Sequence, residues 1–177
     1  MKNLKYISLS EKQDWETPDH IFDPINDIFN FDLDACASNE NKKCKNYFTI
    51  SDNCLTVPWK YKSVWLNPPY SRANKTDPQS GTLIYIKKAF EEVYFQKNSE
   101  TVVLLIPNTS ENTYYHDYIF KSEYLLFIRS RISFISLGKA QAGNTKGSVI
   151  SIMSTDRNLK NKINKLDNCN FGHIVRL

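Results

Sequence analysis

Glycine is scarce in this sequence. There are five in 177 residues, at Gly81, Gly138, Gly143, Gly147 and Gly172, and none precedes Gly81. A dinucleotide loop of the G-x-G-x-x-G type is therefore absent, and so is a phosphate loop of the G-x-x-x-x-G-K-[ST] type. The nearest approach to the second, Gly138 followed by Gly143-Asn144-Thr145, has asparagine where the phosphate-binding lysine belongs. ATP- or NAD-driven chemistry through those loops is excluded. The four cysteines, Cys36, Cys44, Cys54 and Cys169, form no C-x-x-C pair. They are expected to be free thiols, and no metal is expected, because Cys36, Cys44 and Cys54 match no common zinc spacing. The longest apolar run, from Val102 to Pro107, falls far short of the roughly 18–20 residues of a membrane span. Met1-Lys2-Asn3-Leu4-Lys5 has no apolar stretch behind it, so no secretion signal is expected and the cytoplasm is the expected compartment. His20, His116 and His173 are scattered and read as ordinary surface or packing residues.

What is present fits one ordinary domain over residues 1–177: 41% hydrophobic and 24% charged residues describe a globular chain. Lys+Arg 23 against Asp+Glu 19 gives a net charge of +4, which permits contact with nucleic acid without requiring it.

The apolar residues Ile21, Phe22, Ile25, Ile28 and Phe29 follow Trp15-Glu16-Thr17-Pro18 at helical spacing. Thr17 is the expected N-cap and Pro18 the first helical residue. Strands are expected over Phe31–Ala35, Tyr47–Ile50, Ser63–Leu66, Thr101–Ile106, Tyr124–Ile128, Ser130–Ile135 and Ser148–Met153, and helices over Leu83–Phe95 and Asn112–Lys121. Strands alternating with helices give an α/β fold with a mostly parallel sheet. The last two strands are joined by a loop, too short for a crossover helix, and are expected as an antiparallel hairpin at one edge. The core is expected over about residues 15–153; the pattern assigns no element to the Lys- and Asn-rich tail, 156–177.

The sharpest chemical signal is Asn67-Pro68-Pro69-Tyr70 directly after the strand Ser63–Leu66. Ligands of open α/β sheets bind at the carboxyl ends of strands. An amine conjugated to a ring or carbonyl is a poor nucleophile because its lone pair is delocalised. Two acceptors on a rigid turn, the Asn67 side-chain carbonyl and the Pro68 main-chain carbonyl, each take one N–H and free that lone pair. Two prolines fix the turn in advance, which is the preorganisation an electrostatic catalyst needs. Tyr70 offers a flat face to a planar base.

Around that turn the sequence resembles the small phage-type, Dam-like DNA N6-adenine methyltransferases. The resemblance rests on an ordered set: Trp15-Glu16-Thr17-Pro18, Phe31-Asp32-Leu33-Asp34-Ala35-Cys36-Ala37-Ser38, Asn41 with Cys44, Tyr47-Phe48-Thr49 with Asp52 and Leu55, Trp59, Val64 through Ser71, Leu104 to Pro107, and Arg131-Ile132-Ser133-Phe134. It implies a Rossmann-like methyltransferase fold and S-adenosylmethionine as methyl donor. By the same resemblance Trp15, Thr17 and Pro18 close over the donor. Asp34, Ala35 and Cys36 line its amino-acid and ribose parts, Asp52 accepts from its adenine amine, and Asn67 completes the pocket. The glycine-rich turn that larger methyltransferases carry after the first strand is missing, and only 33 residues separate Asp34 from Asn67 (67 − 34). The donor-binding half is thus abbreviated, and Asp32 stands as an alternative to Asp34 for the ribose. Double-stranded DNA is the implied partner and a phage or prophage in a bacterial host the implied source. Ser71, Arg72 and Lys75 after the turn, Arg129 and Arg131, and Lys139 and Lys146 are the candidate DNA contacts. The same Asn-Pro-Pro-Tyr turn also serves protein glutamine and RNA bases, and an inactive DNA-binding relative is a third reading.

Overall fold

The computed structural model of the chain describes residues 15–70, 81–136, 138–140 and 146–177. Its centre is a seven-stranded sheet. The strands are β1 (Leu33–Asp34), β2 (Asn46–Tyr47), β3 (Ser63–Leu66), β4 (Thr101–Pro107), β5 (Tyr124–Ile128), β8 (Ser148–Ser154) and β9 (Gly172–Arg176), in the spatial order β2-β1-β3-β4-β8-β5-β9. β2, β1, β3 and β4 run parallel; β8 is antiparallel to both β4 and β5, and β9 is antiparallel to β5. A separate two-stranded ribbon pairs β6 (Ile135–Ser136) with β7 (Lys139–Ala140).

Alternation along the strands explains why the sheet is covered on both faces. Val64, Leu66, Val102, Leu104, Ile106, Val149 and Met153 meet one core cluster, with α2 (Thr82–Phe90) and α3 (Thr113–Asp117) over it. Trp65, Val103, Leu105, Ile150 and Ile152 meet the other, under α1 (Asp19–Phe29) and α4 (Leu159–Asn168). The result is a helix–sheet–helix sandwich. Cys44 and Cys54 are buried in these cores, and all four thiols are free.

Several sequence expectations shift. The helix after Trp15 begins one residue late: Pro18 is the N-cap, Asp19 the first helical residue, and the Thr17 side chain makes no capping bond. The strand expected over Ser130–Ile135 contracts to β6. The tail with no expected element supplies α4 and β9. The expected edge hairpin between Ser130–Ile135 and Ser148–Met153 does not form: β6 pairs with β7, and β8 pairs antiparallel with β4 and β5 instead. β8 is buried along all seven residues and lies inside the sheet, because β4 takes its other side and β9 takes the edge.

Gly172 opens β9 where two backbones nearly touch. A Cβ there would lie 1.8 Å from the Phe127 carbonyl oxygen and 2.9 Å from the Arg129 nitrogen. Neither atom belongs to a side chain that could swing away. Gly172→Ala is expected to cost at least about 1–3 kcal/mol of stability, a drop of roughly 2–4 °C in Tm per kcal/mol for a chain of this size; a thermal melt measures it.

Candidate active site

The sheet order places a crevice where open α/β folds bind ligands. The chain leaves β1 toward β2 on one side, while β3 and β4 lie on the other, so the connections after β1 and β3 part at the carboxyl ends of the strands. A cavity of about 390 Å³ opens there, lined by Ala35 and Cys36 after β1, Phe48 and Ile50 after β2, and Asn67 and Pro69 after β3.

The Asn67–Tyr70 turn is held at three points. Asn67 Nδ2 donates to the Trp15 carbonyl at 3.0 Å. The Thr82 hydroxyl, at the start of α2, donates to the Pro69 carbonyl at 2.7 Å. The Tyr70 hydroxyl reaches over the end of β3 and donates to the Leu105 carbonyl of β4 at 3.0 Å. The Tyr70 ring also meets Phe134 edge-to-face at 5.8 Å. Burial, with Tyr114 and Tyr115 nearby, holds the Tyr70 phenol well above its ordinary value, so its hydroxyl remains a donor. Pro68 is buried.

Asp34 ends β1 and is buried. Its carboxylate accepts the Cys36 N–H at 3.3 Å and the Lys43 N–H at 3.0 Å, which folds residues 35–43 back over it. Burial raises its pKa to about 6, against the opposing pull of those two N–H bonds and of the Lys43 charge. Asp34, Thr17, Cys36, Lys43 and Asn67 share a small recess beside the main cavity. The Thr17 hydroxyl is buried there with no hydrogen-bond partner among the described residues. Asp32, the alternative acid, sits at the other end of the strand. Its Oδ2 accepts the Ser63 N–H at the start of β3, away from the crevice.

Asp52 lies on the turn after β2, between the cavity-lining Ser51 and Asn53. Its Oδ2 accepts both the Thr49 N–H (2.8 Å) and the Thr49 hydroxyl (2.7 Å), and these bonds lower its pKa. It shapes the turn that carries Thr49, Ile50, Ser51 and Asn53 along the cavity, and is not itself a lining residue. Trp15 lines the cavity and its ring stands edge-on to Phe134 at 5.8 Å. Pro18, the N-cap of α1, is buried and lines neither the cavity nor the recess.

Arg129 and Arg131 are exposed beyond the carboxyl end of β5, the sheet end that also carries Asn67. Lys139 lies in β7 and Lys146 just before β8, on connections at that same end. Ser71, Arg72 and Lys75 lie outside the described residues. No group of three His, Cys, Asp or Glu side chains fit for a metal occurs among the described residues, and no helix among them is long and apolar enough to cross a membrane.

Sequence reasoning missed Lys43. Its ammonium bridges Glu16 at 2.8 Å and Asp19 at 2.6 Å. Burial works against the charged form, but the bonds to Asp19 and Glu16 outweigh it and the Lys43 pKa is raised. In a polar stretch with no period, one lysine among Lys42, Lys43 and Lys45 carries no mark of this role.

The family model described as DNA N-6-adenine-methyltransferase (Dam) matches residues 6–174. The chain belongs to this family. Among its relatives is the DNA N-6-adenine-methyltransferase of Escherichia phage T1, 33% identical over 158 residues, which cover 78% of this chain and 61% of the relative. The protein of the same name from Haemophilus phage HP1 is 34% identical over 131 residues, 72% of this chain and 69% of that one. The putative methyltransferase YfdM of Escherichia coli is 38% identical over 78 residues, 40% of this chain and 86% of the relative. The chain thus spans less than two thirds of the phage T1 protein.

Proposed function

We propose that this chain transfers a methyl group from S-adenosylmethionine to the N6 amine of an adenine flipped out of double-stranded DNA. The sheet is read as an abbreviated Rossmann-like methyltransferase sheet, in one domain over 1–177. The observation that carries the reading is the position of Asn67, at the mouth of a cavity and on a turn tied at three points.

The residues present suit the donor. A cavity of about 390 Å³ falls in the range of small-ligand pockets, about 300–1,000 Å³. The Asp34 carboxylate and the Thr17 hydroxyl, which has no partner among the described residues, give polar groups in the adjoining recess. The donor, when bound, supplies an electrophilic methyl group. The chain supplies the rest. Trp15, Ala35 and Cys36 wall the pocket, and Asp34 offers a carboxylate to the donor's hydroxyl or ammonium groups. Asn67 Oδ1 and the Pro68 carbonyl each accept one N–H of the target amine. That localises the nitrogen lone pair for attack. The alkylated nitrogen is acidic and loses its proton to water, so no histidine base is required. Arg129, Arg131, Lys139 and Lys146, with Ser71, Arg72 and Lys75, contact the DNA.

Tyr70 stacks on the flipped base. Tyr70→Ala is expected to lower the methylation rate by roughly ten- to a hundredfold, since base–aromatic stacking is worth about 1–3 kcal/mol. Tyr70→Phe keeps the ring and loses only the bond to Leu105, about 0.5–1.5 kcal/mol of stability. A 2-aminopurine at the target position brightens on flipping and is quenched against the ring; equal rate and fluorescence in wild type and Tyr70→Ala would make Tyr70 a packing residue.

The function itself is tested by incubating the protein with labelled donor and, in parallel, unmethylated DNA, RNA and a glutamine-containing protein acceptor. Label is expected in DNA alone; label in RNA or protein instead would overturn the assignment.

A further inference from the structure

An asparagine amide has two ends of nearly equal size and opposite chemistry. The oxygen accepts; the NH₂ donates. An amine substrate needs the oxygen. A rotated amide would present NH₂ to NH₂, two donors with nothing between them, so a site of this kind must lock the rotation.

The lock is visible 52 residues upstream. We infer that the Trp15 main-chain carbonyl is a positioning group, which turns Nδ2 of Asn67 toward itself and so leaves Oδ1 for the target amine, and that Lys43 holds this carbonyl in place through Glu16. This rests on the proposed amine methylation. A carbonyl has no hydrogen to give, so it takes the NH₂ end of Asn67 and rejects the other; the bond is 3.0 Å.

Residue 15 lies in no strand of the main sheet, and its carbonyl is fixed by its neighbours. Glu16 exchanges two main-chain bonds with Ile135, at 2.8 and 2.9 Å. The Trp15 ring stands on Phe134. The Glu16 carboxylate is held by Lys43 at 2.8 Å, and the same ammonium takes Asp19 at the start of α1. The Lys43 main-chain N–H is bonded to Asp34. One largely buried cation thereby ties the segment carrying the Trp15 carbonyl to the connection after β1. Without it, Glu16 and Asp19 are left as two acids with no cation between them, and the segment loosens while the sheet keeps its core.

The test uses the full chain with Lys43→Met, Lys43→Arg and Glu16→Gln. The Asn67 side-chain amide signal in a ¹⁵N spectrum, assigned by its loss in Asn67→Asp, reports the lock without reference to activity. In wild type one amide proton is expected to exchange slowly with solvent. In Lys43→Met and Glu16→Gln it exchanges faster. The single-turnover rate falls roughly ten- to a hundredfold, as expected for a misplaced reacting group. KM for DNA is largely unchanged, and Lys43→Arg retains both the slow proton and the rate. A thermal melt shows whether Lys43→Met folds; if it does not, Glu16→Gln decides. A fast-exchanging amide in wild type, or an unchanged amide and rate in Glu16→Gln, overturns the inference. A protected amide in a wild type that methylates no adenine rejects the proposed function instead.

Discussion

Asn67→Ala is expected to lower methyl transfer by roughly a hundred- to thousandfold, the usual loss when one preorganised polar group is removed from a reacting centre. Donor affinity should stay near wild type. The side chain reaches the cavity from the end of β3, and its Nδ2 is already engaged by Trp15. What alanine deletes is the acceptor Oδ1 together with the tie that aims it. The rest of the turn keeps its anchors, since the Pro69–Thr82 and Tyr70–Leu105 bonds do not pass through residue 67. Single-turnover kinetics with labelled donor, beside calorimetry with S-adenosylhomocysteine, separates the two effects. Turnover close to wild type would remove Asn67 from the mechanism.

Asp34→Ala is expected to weaken S-adenosylhomocysteine binding by roughly ten- to a hundredfold, because a hydrogen bond to a charged group is worth about 1.5–3 kcal/mol. DNA affinity should change far less. The variant also strips the Cys36 and Lys43 N–H groups of their acceptor, so residues 35–43 lose the fold that brings them to the cavity. Two opposite pH effects follow from a pKa raised to about 6. For folding, the raised value means that the folded chain holds this proton more tightly than the unfolded one. The stability from Asp34 is full below the ordinary value of 3.8 and is lost as pH rises through about 6. For donor binding the ionised form is the useful one, because it attracts the cationic amine. Affinity for S-adenosylhomocysteine should therefore rise as pH rises through about 6 in wild type and stay flat there in Asp34→Ala. Equal binding at all pH values by both proteins would take Asp34 out of the donor pocket.

Strong local patterns were readable in the sequence. The apolar strands β3, β4, β5 and β8 fall where alternation and β-branched residues place them, and the strand end at Asn67 was fixed by the prolines that follow it. Non-local outcomes were not. β8 looks like one arm of an edge hairpin until β9 appears, and β9 comes from a polar tail whose half-buried residues alternate too weakly to mark a strand. β1 and β2 are two residues each, shorter than any period reveals. At the site, Asp34 and Asn67 share the recess, but Asp52 bonds its own turn, because an aspartate three residues after a threonine satisfies that N–H and hydroxyl locally. The Lys43 bridge joins segments 24 and 27 residues away, and only the folded chain brings those partners together.

Methylation of adenine through Asn67 is measured by digesting DNA to nucleosides after incubation with S-adenosylmethionine and weighing the products by mass spectrometry, for wild type and Asn67→Ala side by side. N6-methyldeoxyadenosine is expected from the wild-type reaction and almost none from the variant. Methylated cytosine, no methylated base at all, or equal N6-methyldeoxyadenosine from both proteins would contradict it.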